Sequence, residues 1–263
     1  MNRFVLASLA LVSGLWAQSA SNAPLYSAES VANAATSTAG PFAPNVIVSI
    51  YGTNLSWTEE AATPERMKGG GLPYELANVR VLIGNGDGGR NAPLYFVSPR
   101  QINFLIPPDL IGTQSITVVR QGTRGPKVDI QLQNEAPEFF LRDGQTVLAM
   151  NNNFDLLSPE APAKGGDWIV LYAAGLGQTD PPQIEGRPWA GTATLRRKDF
   201  RLLLNGNAID RSRVAYAGAA PGFVGVYQIN VHLPDDLPAD PEIRLGFGDH
   251  LSATGIKLPV RPQ

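Results

Sequence analysis

Gln228-Ile229-Asn230-Val231-His232-Leu233-Pro234 is the stretch on which the reading of the fold turns, because the chain carries it twice. Gln101-Ile102-Asn103-Phe104-Leu105-Ile106-Pro107 repeats it with different apolar residues. Polar and apolar residues alternate in both copies, so each reads as a β-strand with one buried face. Both copies end in proline and a short acidic turn, Pro108-Asp109 in one and Asp235-Asp236 in the other. A strand that recurs with its flanks intact points to a duplicated module.

Working outward, the flanks agree in order. Trp168-Ile169-Val170-Leu171-Tyr172 echoes Ile47-Val48-Ser49-Ile50-Tyr51, and Ala174-Gly175-Leu176 echoes Thr53-Asn54-Leu55. Phe200-Arg201-Leu202-Leu203-Leu204 then echoes Val79-Arg80-Val81-Leu82-Ile83 at the same interval. The first copy is expected to hold short strands at 46–51, 79–83, 94–97, 101–106, 115–120 and 127–132, punctuated by Gly, Pro and Asn. That pattern reads as an antiparallel sandwich. Asn205-Gly206 is a hairpin-turn signal, since both residues accept positive φ. Glu135-Ala136-Pro137 marks a boundary between two units. No stretch shows a helical period of useful length.

The composition agrees. With 263 residues the chain is long enough for two domains. Hydrophobic residues make up 43% and charged ones 17%, enough to build cores and too few charges for a disordered polyelectrolyte. The 27 Gly and 22 Pro suit many short strands joined by turns. A formal net charge of −2 gives no electrostatic reason to expect nucleic acid, whose binding rests on clustered Lys and Arg.

Residues 1–17 read as a secretory signal peptide, with Arg3 as the positive start and an apolar run from Phe4 to Trp16. Cleavage is expected after Ala17, or failing that after Ala20. No later run reaches transmembrane length, so the expected location is secreted, periplasmic or cell-surface. There is no cysteine, so packing alone must hold each unit together. Residues 18–40 read as a flexible arm or, through Leu25, Tyr26 and Val31, as a docked edge strand.

Three segments carry a resemblance. The first is Ser30-Val31-Ala32-Asn33-Ala34-Ala35 leading to Pro44-Asn45-Val46-Ile47-Val48-Ser49-Ile50-Tyr51-Gly52-Thr53-Asn54-Leu55. The second is Ala163-Lys164-Gly165-Gly166-Asp167 leading to Tyr172-Ala173-Ala174-Gly175-Leu176-Gly177. The third is Ala220-Pro221-Gly222-Phe223-Val224-Gly225-Val226-Tyr227-Gln228-Ile229-Asn230-Val231. Together they resemble the uncharacterised Solibacter-type C-terminal domain family of secreted acidobacterial proteins. The Gly-Thr-Asn-Leu segment also looks like the first-strand signature of immunoglobulin-like IPT/TIG repeats. The resemblance implies an immunoglobulin-like fold and an extracellular location, and it brings no catalytic residues.

The expected architecture is therefore all-β: two tandem immunoglobulin-like antiparallel β-sandwiches related by internal duplication. Residues 41–135 would form the first and 136–263 the second, after the signal peptide (1–17) and the N-terminal arm or edge strand (18–40).

Candidate chemistry is sparse. The two histidines, His232 and His250, offer no His-Glu-x-x-His spacing for zinc, and no Gly-x-Ser-x-Gly elbow is present. His232 stands where the first copy has Leu105, which marks a packing or surface position rather than a catalytic one. Asn151, Asn153 and Asp155 match the start of a calcium loop, but Leu156 and Pro162 fall where that loop needs Gly and Glu. Neither a catalytic residue, a metal nor a cofactor is assigned.

Trp168 lies in a strand and is expected in the core. Trp57 and Trp189 fall in the long loops 56–75 and 177–194, and are the candidate binding residues, because loop tryptophan stacks on sugars or anchors interfaces. The bland reading is that each closes the end of its own sandwich. Gln101, Asn103, Gln228 and Asn230 are kept in both halves and so read as structural, each amide satisfying backbone groups of a neighbouring loop such as 221–225. The expected function is a non-enzymatic extracellular binding or adhesion module whose partner is a protein or glycan at the cell surface. A structural spacer or surface-assembly domain, or a carbohydrate-binding module using loop aromatics, remain the alternatives.

Overall fold

The computed structural model describes residues 22–67, 70–85 and 89–262, so the expected signal peptide lies outside the described residues. Among the described residues the structure is all-β, with four sheets whose strand pairs are antiparallel. Of two sheets in the first half, one runs in the order Val31–Asn33, Ile47–Tyr51, Gln101–Leu105, Leu94–Val97, Glu60–Ala61. The other runs Val128–Leu132, Gly112–Arg120, Val79–Gly84, Arg90–Asn91. Alternation explains which residues meet between them. Val48, Ile50, Ile102 and Phe104 from one sheet share a core with Val79, Val81, Ile83, Ile116 and Val118 from the other.

In the second half, Trp168–Ala174 is flanked on one side by Glu138–Phe139 and Ala149–Asn151 and on the other by Tyr227–His232, followed by Val214–Ala219. Phe200–Leu204 pairs with Ile243–Phe247 in the opposite sheet. Ile169, Leu171, Ile229 and Val231 pack there against Leu202, Leu204, Ile243 and Leu245.

The registers of the two halves correspond. Tyr51 lies opposite Gln101 and Ile47 opposite Leu105; Tyr172 lies opposite Gln228 and Trp168 opposite His232. Val31 lies opposite Ile50, and Ala149 opposite Leu171. Each half also closes with a parallel bridge, Phe42 to Leu132 in one and Ala163 to Val260 in the other.

The segment before residue 40 is part of the first core. Val31–Asn33 is an edge strand, and the buried Tyr26 donates from its hydroxyl to Pro126 O at 2.6 Å while accepting from Val118 N at 2.7 Å. Burial pushes that hydroxyl up to about 12.

The halves meet through a small apolar junction. Leu72 and Leu105 of the first bury Val224 of the second, with Ile47, Ala62, Met67 and Tyr95 around them. Tyr95 donates from its hydroxyl to Val224 O at 2.5 Å. Gly225 is required beside it. Its φ is +73°, and a Cβ would stand 2.8 Å from Leu105 Cδ1 and 2.9 Å from Asn45 O. At the rim Arg90 pairs with Glu185 at 3.2 Å and Arg197 with Glu135 at 3.1 Å.

Candidate functional site

The residues singled out by sequence lie apart. Trp57 is 49% exposed, donates from Nε1 to Gln121 Oε1 at 3.1 Å, and has the Arg120 guanidinium 3.7 Å from its ring centroid. Arg120 is buried, and its guanidinium bonds Asn54 O and Asn22 O. Burial lowers its pKa. One face of Trp57 therefore covers a desolvated cation, holding the N-terminal segment in place, and only the other is open.

Trp189 is half-buried and acts through its backbone. Its N–H donates to Phe223 O at 3.2 Å and its carbonyl accepts from Gly222 N at 2.7 Å, while Nε1 is buried without a partner. It braces the 220–226 loop.

The repeated amides do not serve that loop. Gln228 Nε2 donates to Asn230 Oδ1 at 2.8 Å, and Gln101 Nε2 to Asn103 Oδ1 at 2.8 Å. Asn103 Oδ1 accepts a further bond from Ser49 Oγ at 2.9 Å. Residues two apart in a strand share a face, so each pair bonds along its own strand on the outward, half-buried side.

Trp168 is a correction. It is 44% exposed, because the parity that sends Ile169, Leu171 and Ala173 into the core sends Trp168, Val170 and Tyr172 outward. Its ring stacks on His232 at 5.0 Å between centroids, and Arg213 Nη1 lies 3.3 Å from His232 Nδ1. Asn151, Asn153 and Asp155 form an ordinary turn: Asn151 Oδ1 accepts from the backbone N–H of both others. Among the described residues no group of three or more His, Cys, Asp or Glu could hold a metal ion.

What the sequence reading missed is the outward face of the second half's larger sheet. Phe140, Leu148, Met150, Tyr172, Phe223 and Val226 line an apolar hollow of about 290 Å³. Met150 lies opposite Val170, beside Tyr172 on the outward face. Tyr172 and Phe223 meet with ring centroids 6.3 Å apart, and Tyr172 Oη is 4.0 Å from Met150 Sδ. Burial raises the Tyr172 hydroxyl above the usual tyrosine range.

Phe223 is 55% exposed and yet firmly held. Gly222 takes a φ of +82°, Ala220 N bonds Val226 O at 2.9 Å, and the next residue, Val224, is locked into the junction. In the first half Tyr51 keeps the aromatic of Tyr172, and three other corresponding positions are polar or small. Ser27 stands for Phe140, Ala32 for Met150 and Ser49 for Val170, as the Leu25–Thr53 and Glu138–Ala174 pairings align them. A signal was present in the sequence: Trp168-Ile169-Val170-Leu171-Tyr172 is apolar at every position, whereas a strand with one wet face should alternate.

A second concavity of about 550 Å³ lies between the halves, its wall holding Pro108 and Pro182 among polar side chains. Asn45 and Asp109 face Gln178, Asp180, Gln183 and Arg196 across it. Arg196 Nη1 donates to Gln178 Oε1 at 3.0 Å, and Asp109 is paired with Arg90.

No family model and no curated protein matches the chain. Among solved structures it is similar to the SGBP-B of a complex xyloglucan utilization locus in Bacteroides uniformis, at 10% identity and a TM-score of 0.28, over 90% of this chain and 48% of that one. It is similar to the SGBP-B of the Bacteroides ovatus mixed-linkage glucan utilization locus at 12% identity and a TM-score of 0.36, over 92% and 47%. A third similarity, to the gamma-CGTase of an alkalophilic Bacillus clarkii, has 14% identity and a TM-score of 0.28, over 91% and 26%. The chain thus spans less than half the length of each, and likeness at this level does not identify a ligand.

Proposed function

We propose that this chain is an exported, non-enzymatic binding or adhesion module, built from two immunoglobulin-like sandwiches related by duplication, at 41–135 and 136–263, with residues 22–40 docked on the first. Its membership of the Solibacter-type family belongs to the same proposal, and so does a signal peptide over residues 1–17. The matching registers around the two Gln-Ile-Asn strands support the duplication. The observation that carries the binding role is the apolar outward face of the second half, where Phe140 and Met150 replace the Ser27 and Ala32 of the first. A sheet face turned to water gains nothing from Phe140, Met150, Tyr172 and Phe223 unless something covers them.

The test is binding of fluorescently labelled protein to intact cells of the producing bacterium and to its secreted proteins immobilised on a membrane. Phe223→Ser is expected to lose binding while keeping the wild-type melting curve. Retained binding removes this face from the proposal. Amino-terminal sequencing of the exported protein is expected to begin near Gln18 or Ser21.

The junction cleft favours one further reading, a carbohydrate-binding module, because planar amides and carboxylates suit the paired hydroxyls of a sugar. A glycan array probed with wild type, Gln183→Ala and Trp57→Ala separates the two. Sugar binding that these changes abolish and Phe223→Ser leaves intact moves the site to the first loop and the cleft.

A further inference from the structure

We infer that the hollow around Tyr172 and Phe223 receives a single bulky apolar side chain from an exposed segment of a partner protein. This rests on the reading of that face as a binding surface and goes beyond it by naming the class of occupant. Three observations lead there. The first is size: about 290 Å³ sits at the small end of ligand sites and has room for one large side chain.

The second is chemistry. The side-chain heteroatoms in the wall are the Tyr172 hydroxyl and the Met150 sulfur, and these lie 4.0 Å from each other. The wall offers a sugar ring few hydrogen-bonding groups to fix its hydroxyls in one orientation. An aromatic or aliphatic side chain gives up no hydrogen bond by entering. Met150 adapts to its shape, and the Tyr172 and Phe223 rings, 6.3 Å apart and tilted by 58°, offer an edge and a face.

The third is preorganisation and extent. Phe223 is held between Trp189, which bonds the backbone on either side of it, and Val224, which is buried in the junction. An exposed aromatic fixed in this way loses little freedom on binding, the property of an interface anchor. The accessible lining of the hollow lies far below the roughly 800 Å² per partner of a stable interface between two copies. The hollow therefore fits a projecting residue better than a second copy of this chain.

The experiment is an amide NMR titration of the full exported chain with N-acetyl-tryptophanamide and, separately, with cellohexaose, alongside sedimentation velocity. The tryptophan amide is expected to give saturable shifts at the amides of Met150, Tyr172, Phe223 and Val226. Phe223→Ser should weaken that binding by roughly tenfold or more. Met150→Lys serves as a second variant, since it fills the same hollow from another strand. Shifts at these amides with cellohexaose and not with the tryptophan amide overturn the inference and leave the binding surface standing. A dimer that Phe223→Ser dissolves overturns it in favour of self-association. Silence from both probes overturns it as well, and the cell-binding assay then decides the wider reading on its own.

Discussion

The outward faces of the two sheets that hold the Gln-Ile-Asn strands occupy corresponding places and meet different fates. In the first half the Ile47–Leu105 pair lies beneath Val224 and beside Leu72 and Tyr95, so Leu105 is fully buried. In the second half the corresponding pair is Trp168 and His232, stacked on each other in the open. One face is covered within the chain and the other is not. The same strand pairing thus serves as a joint in one half and as a surface in the other. Further along, both faces carry a tyrosine, Tyr51 and Tyr172, but Ser27 stands beside the first where Phe140 stands beside the second. Covering within the chain does not explain the apolar residues of the second face, and this is why they are read as a binding surface.

The comparison breaks most easily at its buried member. Leu105→Asp places an unpaired charge in the junction and should cost about 3–5 kcal/mol in urea unfolding. His232→Asp, at the corresponding open position near Arg213, should stay within about 0.5 kcal/mol. Equal losses would mean that the faces are not differently covered. Gly225→Ala comes next, because its positive φ and the close approach to Leu105 and Asn45 O leave no room for a methyl group. A loss of about 1–3 kcal/mol is expected, with the two halves unfolding less cooperatively. A single unchanged transition would show that the loop does not hold them together.

The amides sharpen the same comparison on a smaller scale. Asn103 accepts from both Gln101 and Ser49, whereas Asn230 accepts from Gln228 alone, its neighbour across the sheet being Val170. Asn103→Ala should therefore cost about 1 kcal/mol and Asn230→Ala about half of that, read from paired denaturation curves. The reverse order would mean that Asn230 has a stronger partner than Gln228.

The smallest effect is a titration. Burial raises the Tyr172 hydroxyl, so the unfolded chain releases this proton first as pH rises. Its contribution is fully present below the ordinary tyrosine pKa and is lost as pH climbs from that value through the folded one. Phe223→Ser uncovers the ring and should bring the Tyr172 midpoint back down in a difference-absorbance titration. An unmoved midpoint would show that Phe223 does not shield it.

Much of this was legible in the chain. Alternation in Gln101-Ile102-Asn103-Phe104-Leu105 and its repeat is a local property, and so are the turns made by Gly, Pro and Asn; they determine where strands run and which side of each is apolar. The strands expected at 79–83, 94–97 and 127–132 are found at Val79–Gly84, Leu94–Val97 and Val128–Leu132. Trp168 shows where local reading fails. Its strand is apolar throughout, so type alone could not say that parity turns it outward.

Trp57 and Trp189 were singled out because they are loop aromatics. Only the fold shows the first covering Arg120 and the second bracing the loop that presents Phe223. The sequence by itself determined where most strands run, since each depends on residues a few positions apart. Which face stays open was decided by tertiary structure, because it turns on Val224 reaching Leu105 from the other half of the chain. Contacts at that distance leave no periodic trace in the sequence.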